Sequence, residues 1–309
     1  MRFGIQHGIG DPNWEPSIIA PEAVRRFATT AERVGYDAIA FTDHPAPSDR
    51  WVHNGGEGVA DWATGLGFCA AVTDRIRLLT FVMVPSYRNP FLAAHQLATL
   101  DAMSGGRLIV GLGTGYLFSE MRALGGDPSQ RLQTFDRSVA IMKRAWAGGP
   151  VAVDGDGFSA KGAIVHPPVV QRPHPPLWIH GNSPWGTERA ARDGQGWMGM
   201  LTGDDETIVQ TIRTTPIGDV AVMGDRIAAF KVAAERHGRD PEEVDIVAMG
   251  GWPYFDVRRP WSAEQLRDDV GRLAGVGVDW IILTCCGDDA DASVETIEAF
   301  AADVIVTDG

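Results

Sequence analysis

The chain has 309 residues, with 27 Lys and Arg against 40 Asp and Glu, a formal net charge of −13. Hydrophobic residues at 44% and charged residues at 22% are ordinary globular values, which exclude disorder, collagen and coiled coil. The acidic balance disfavours a nucleic-acid backbone or an anionic membrane as partner and leaves a small molecule. Three cysteines are too few for a disulfide framework or a zinc site, and reduced thiols in a cytoplasmic protein follow. Cys285 and Cys286, adjacent in an apolar run, are expected on opposite faces of a strand. Met1–Gly8 lacks the apolar core of a signal peptide, and the apolar stretch Leu78–Pro85 is too short to span a bilayer.

Short apolar runs alternate with amphipathic segments. Arg2–His7 reads as the first strand. Pro21–Val34 has helical spacing through Ala23, Phe27, Ala31 and Val34, with Gly35 as its stop. Asp37–Thr42 is the second strand. A Pro/Gly/Trp-rich loop, Pro45–Val59, precedes a helix at Asp61–Val72. Strand Arg75–Met83, helix Phe91–Met103 and strand Arg107–Gly113 follow, then helices at Phe118–Leu124 and Ser129–Ala147.

Val151–Pro176 breaks this rhythm. Gly155 and Gly157 predict a hairpin turn, and two proline-rich stretches predict a rigid extended return. Strand Leu177–His180, helix Thr187–Asp193 and strand Gly196–Met200 come next. Helices at Asp204–Thr214 and Val220–His237, strand Val244–Met249, helix Ser262–Ala274, strand Asp279–Cys285 and helix Ser293–Val304 complete the chain. Eight strand–helix units in one chain favour a closed (β/α)8 TIM barrel over residues 1–309, with an excursion at about 151–176 before the fifth barrel strand.

Active sites of such barrels lie at the C-terminal ends of the strands. There the sequence places glycines, aromatics and neutral polar groups, which suit a flat organic cofactor. It shows no metal-ligand spacing of His, Asp and Glu and no paired-carboxylate signature. Asp43-His44 puts a proton donor or acceptor at the second strand end; the alternative role of His44 is to tie down the loop behind it. Gly181-Asn182-Ser183, just before a helix, can cradle an anion on backbone amides, or serve as a plain turn. Thr80, Phe81 and Val82 read as barrel core. Trp51, Trp185, Trp197 and Trp252 stand in loops or at strand ends, where walls for a planar ligand belong. His95, His166, His174 and His237 are read as packing or solvated groups.

Together these residues resemble the luciferase-like monooxygenase superfamily, in its branch dependent on the deazaflavin coenzyme F-420. The resemblance is carried by Asn89-Pro90-Phe91, by Leu100 through Tyr116, by Glu120, by Gly35-Tyr36-Asp37 to Asp43-His44, by Gln171 through Ile179 with Gly181-Asn182-Ser183, and by Asp193-Gly194 to Met198. It implies a homodimeric barrel binding F-420, or FMN as the alternative, at its C-terminal face. It also implies that Asp43, Thr80, Phe81, Val82, Gly115, His180, Gly181, Asn182, Ser183 and Trp197 surround the cofactor. The Phe81–Val82 bond is the expected non-prolyl cis peptide under the ring. His44 matches a ring- and substrate-contacting histidine of the deazaflavin-dependent sugar-phosphate dehydrogenases. Where those carry glutamate after Gly-Thr-Gly, this chain has Tyr116, and the lysines and arginines for a sugar phosphate are missing.

The reading is an oxidoreductase passing a hydride between F-420 and a small, weakly polar substrate. His44 and Tyr116 are the catalytic candidates, and His7, Trp51 and Trp252 line the substrate pocket. Pro45–Val59 is a candidate lid, and Arg50 or Arg88 are expected to offset the acidic field at the mouth. FMN-dependent monooxygenation is the first alternative, and a non-catalytic cofactor-binding barrel the second.

Overall fold

The computed structural model describes residues 1–8, 11, 15–155, 157–203, 206–250 and 255–305. Eight parallel strands close a barrel: β1 (Arg2–Gln6), β2 (Ala38–Phe41), β3 (Arg77–Met83), β4 (Leu108–Leu112), β7 (Leu177–His180), β8 (Gly196–Leu201), β9 (Asp245–Gly250) and β10 (Trp280–Thr284). They neighbour one another in chain order, and β10 pairs with β1 to close the ring. The hairpin β5 (Val151–Val153) and β6 (Ala160–Ala163) stands outside the barrel, within the predicted excursion.

Strand alternation sorts the core into two layers. On β2, Ala38 and Ala40 point into the barrel, while Ile39 and Phe41 face the helices. The interior is filled by large side chains, including Trp178 and Trp280 edge to face with ring centroids 5.0 Å apart. It is therefore a packed core, with a cavity at its C-terminal rim.

The outer helices include α1 (Pro21–Arg33), α3 (Trp62–Val72), α4 (Pro90–Met103), α5 (Phe118–Ala123), α6 (Arg131–Trp146), α7 (Pro184–Asp193), α8 (Glu206–Ile212), α9 (Val220–Arg236), α10 (Ala263–Gly275) and α11 (Ala290–Val304). Most begin at a residue whose side chain accepts a first-turn N–H: Asp61 for α3, Asn89 for α4, Ser183 for α7, Asp219 for α9, Ser262 for α10 and Asp289 for α11. These caps correct two boundaries. The helix expected from Thr187 begins at Pro184, and the last helix begins at Ala290 rather than Ser293. Pro45–Val59 is also not all loop, since it contains α2 (Asp49–His53), capped by Ser48. No described helix is long and apolar enough to cross a membrane.

Cys285 and Cys286 do not take opposite faces. Both follow the last residue of β10, with Cys285 in an isolated parallel bridge to Phe255; their sulfurs lie 4.0 Å apart as buried free thiols, and both sit against Ser293.

Candidate active site

The barrel's C-terminal mouth holds a cavity of about 800 Å³, within the range of cofactor sites. Asp43, His44, Phe81, Val82, Gly115, Tyr116, His180, Gly181, Asn182 and Ser183 line it. Strand ends from β1 to β10 thus converge as the sequence predicts, and the Phe81–Val82 peptide is cis.

The polar centre is built around His44. Its Nδ1 lies 2.9 Å from Glu120 Oε2, and its Nε2 lies 3.1 Å from the Tyr116 hydroxyl. Burial pulls the His44 pKa down, but the Glu120 hydrogen bond and the charges of Glu57, Glu120 and Asp43 more than offset it, so the imidazole is held above its ordinary value. Glu120 is fully buried and also accepts from Ala46 N–H and from the Tyr87 hydroxyl, each at 2.9 Å. Asp43, expected beside the cofactor, spends its side chain otherwise. It accepts two bonds from Arg88 (2.6 and 2.8 Å) and one from Val84 N–H (2.9 Å), fixing the chain behind β3.

At the opposite wall, Gly181 and Gly186 bring two backbone segments into contact. A Cβ on Gly186 would sit 2.8 Å from Gly181 Cα and 3.0 Å from its carbonyl oxygen. This approach folds Gly181-Asn182-Ser183 onto the N-terminus of α7, where Ser183 Oγ accepts from Gly186 N–H. The Asn182 side chain is consumed by Met200 N–H, Met200 O and Thr215 O, all within 2.9 Å. What it offers a ligand is therefore backbone. His180 is half-buried, and desolvation holds its imidazole below the ordinary value, which favours the neutral form.

Several expectations are corrected. Trp197 lies outside the cavity: β8 turns it toward α9, where it stacks on Phe230 (5.7 Å) and donates to Gly181 O (3.1 Å). It supports the cradle from behind. Thr80 likewise sits between strands, its hydroxyl donating to Gly111 O. His7 is not in the substrate pocket. It faces the helices between Phe27 and Phe41, and burial lowers its pKa to about 4. Gln6, one residue earlier, takes the lining position. Trp51 does reach the site, 5.8 Å from the Tyr116 ring and 6.1 Å from His44. Trp252 lies outside the described residues. Arg88 is spent on Asp43, and the cations that line the cavity are instead Arg131 and Arg213, both stacked over Phe118.

Sequence reasoning also missed the two carboxylates beside His44. Glu120 stood in a motif with no role attached, and Glu57 in a loop. A cluster of Asp256, Cys286 and Asp288 likewise comes together only in space, where Arg258 bonds both carboxylates at 2.8 and 2.6 Å.

A family model of luciferase-like monooxygenases matches residues 1–252. The chain belongs to that family. Among its relatives, an F420-dependent glucose-6-phosphate dehydrogenase of Beutenbergia cavernae is 31% identical over 300 residues, covering 91% of this chain and 84% of that protein. One of Nakamurella multipartita is 26% identical over 297 residues, covering 91% and 83%. Among solved structures, a monooxygenase from Streptomyces bottropensis superposes with a TM-score of 0.81 at 22% identity, covering 99% of each chain. An F420-dependent secondary alcohol dehydrogenase with an F420–acetone adduct does so at 0.75 and 20%, covering 98% and 99%. At those identities, the two structures share this luciferase-like barrel.

Proposed function

We propose that this luciferase-like protein is an oxidoreductase that moves a hydride between coenzyme F-420 and a small, weakly polar organic substrate. The observation that carries the reading is a single cavity that joins an amide cradle, a neutral wall and a protonatable centre. Backbone at Gly181–Ser183, at the head of α7, would hold the coenzyme's phosphate. Arg131 and Arg213 would meet its further negative charge. Phe81 and Val82 would back its ring, with the neutral His180 adding no charge near the cradle.

Bound deazaflavin supplies a carbon that carries a hydride. The protein's own residues orient the substrate against it, hold a proton at His44 and exclude water. Tyr116 donates to His44 Nε2 when that nitrogen is neutral, and accepts from it when it is charged. The relatives' sugar phosphate fits poorly here, because the two lining arginines would serve the coenzyme and Tyr116 is apolar beyond its hydroxyl.

Fluorescence titration with F-420 and with reduced FMN tests the reading. Micromolar binding of the deazaflavin is expected. Binding of reduced FMN alone would establish the monooxygenase alternative, and loss of both would remove the cofactor assignment.

A further inference from the structure

The two nitrogens of His44 face different carboxylates with different freedoms. Glu120, on the Nδ1 side, is fully buried and accepts from His44, Ala46 N–H and the Tyr87 hydroxyl. It meets three donors and does not line the cavity. It fixes Nδ1 as the N–H-bearing nitrogen and is a positioning residue.

Glu57 differs in every respect. It comes from the segment after α2, which folds back on itself: Gly56 N–H donates to Trp51 O (2.9 Å) and Trp51 Nε1 to Glu57 O (3.3 Å). This turn carries the Glu57 carboxylate over the rim to 3.5 Å from His44 Nε2, where it lines the cavity with about a fifth of its side chain exposed. Nε2 therefore meets two oxygens, Tyr116 Oη and Glu57 Oε1, and both border the substrate space. Asp43 also faces this centre, with its charge committed to Arg88.

We propose that Glu57 and His44 share one proton between Oε1 and Nε2, and that Glu57 is the acid that passes it to the substrate. The proposal rests on the hydride-transfer reading. The substrate's electrophilic carbon gains a C–H bond with the electron pair of a hydride from reduced deazaflavin, which is oxidised as the substrate is reduced. The O–H bond of Glu57 breaks, and a new O–H or N–H bond forms at the substrate heteroatom. The carboxylate left behind takes up the proton held at His44 Nε2, and the pair recovers one from solvent through Glu57, about a fifth of whose side chain is exposed. The electrostatics agree with the geometry: burial holds Glu57 above its ordinary value despite the opposing charge of His44, and the neighbouring carboxylates raise His44. Both groups are thereby brought toward neutrality, where general acids work best.

The test is the Glu57→Gln variant of the full chain, with Glu57→Asp beside it. Imidazole NMR, with His44→Gln for assignment, reads the His44 midpoint without any cofactor. The midpoint is expected to fall by about one unit in E57Q, because an anionic neighbour is lost, and to stay near wild type in E57D. With F-420 bound and cyclohex-2-enone as oxidant, kcat of E57Q should fall about 100-fold with KM nearly unchanged. The alkaline limb of its pH profile should flatten, and E57D should recover part of the rate. An unchanged His44 midpoint, or an unchanged kcat and profile, overturns the proposal. If wild-type protein fails to bind F-420, the hydride reading falls, and the proton sharing is then decided by the His44 midpoint alone.

Discussion

Arg88 offers the sharpest test of how this site is built. The guanidinium makes a two-pronged pair with Asp43 at 2.6 and 2.8 Å, with side-chain exposures of 13% and 3%. It also lies 5.4 Å from the Trp62 ring centroid. Burial this deep separates it from surface ion pairs, which contribute about 0–1 kcal/mol. Arg88→Ala would leave the Asp43 carboxylate buried with Val84 N–H as its remaining donor. Breaking such a pair costs about 3–5 kcal/mol. Because Val84 N–H still solvates one oxygen, the lower end applies, about 3 kcal/mol, or roughly a hundredfold in the folding equilibrium. Urea unfolding followed by tryptophan fluorescence measures it, and the apparent Tm should drop on the order of 6 °C. Asp43→Asn in the same background should recover part of the loss, since no charge is then stranded. A loss in R88A below about 1 kcal/mol would mean that the pair behaves as a surface contact, and the argument would be refuted.

Glu120→Ala strands His44 Nδ1, Ala46 N–H and the Tyr87 hydroxyl. His44 has a raised folded pKa, so its charge contributes stability that is full below about 6.5 and is lost as pH rises through the folded value. Urea melts should therefore show E120A costing more at pH 6 than at pH 9, and an equal cost at both would sink this view. His7 has the opposite sign. It is neutral when folded, and stability should fall by about 3 kcal/mol as pH drops from 6.5 to about 4. His7→Leu should remove that part of the acid transition, as read by unfolding at stepped pH. Gly186→Ala forces a Cβ against Gly181 backbone, so F-420 affinity by fluorescence titration should fall at least tenfold while barrel circular dichroism is kept.

The barrel was legible because its strands are short apolar runs, buried on both faces, and each is followed by an amphipathic helical segment. The boundaries that went astray share one cause. Ser183-Pro184 and Asp289-Ala290 are cap and first-turn residues, with no apolar period of their own, and a reading led by apolar spacing starts the helix a few residues late. The quoted motifs were legible as a family pattern, yet much of that pattern is scaffold. Arg107 collects the carbonyls of Ala70, Thr73, Ile76 and Ser104, and Asp101 takes Val170 N–H, Gln171 N–H and the Gln171 amide. His7 and Trp197 failed for a different reason. At a strand end the inward and outward sides alternate by residue, and a shift of one moves a side chain from the cavity to the helix layer. Glu57 and Glu120 were hidden because they reach His44 across 13 and 76 positions of chain through loop geometry that no local pattern encodes.

The charge of −13 takes on its meaning only through this arrangement. At the mouth, the acidic groups are withdrawn from any ligand in distinct ways. Asp43 is neutralised by Arg88, Glu120 is enclosed by three donors, and Glu57 is paired with His44 at 3.5 Å. His180 contributes no charge. The field felt inside the cavity is then set by Arg131, Arg213 and the amide end of α7, all positive. Charges elsewhere on the surface are screened over about 8 Å at physiological salt, less than the distance across a barrel of this size. An acidic protein can therefore present a locally cationic cavity to an anionic coenzyme.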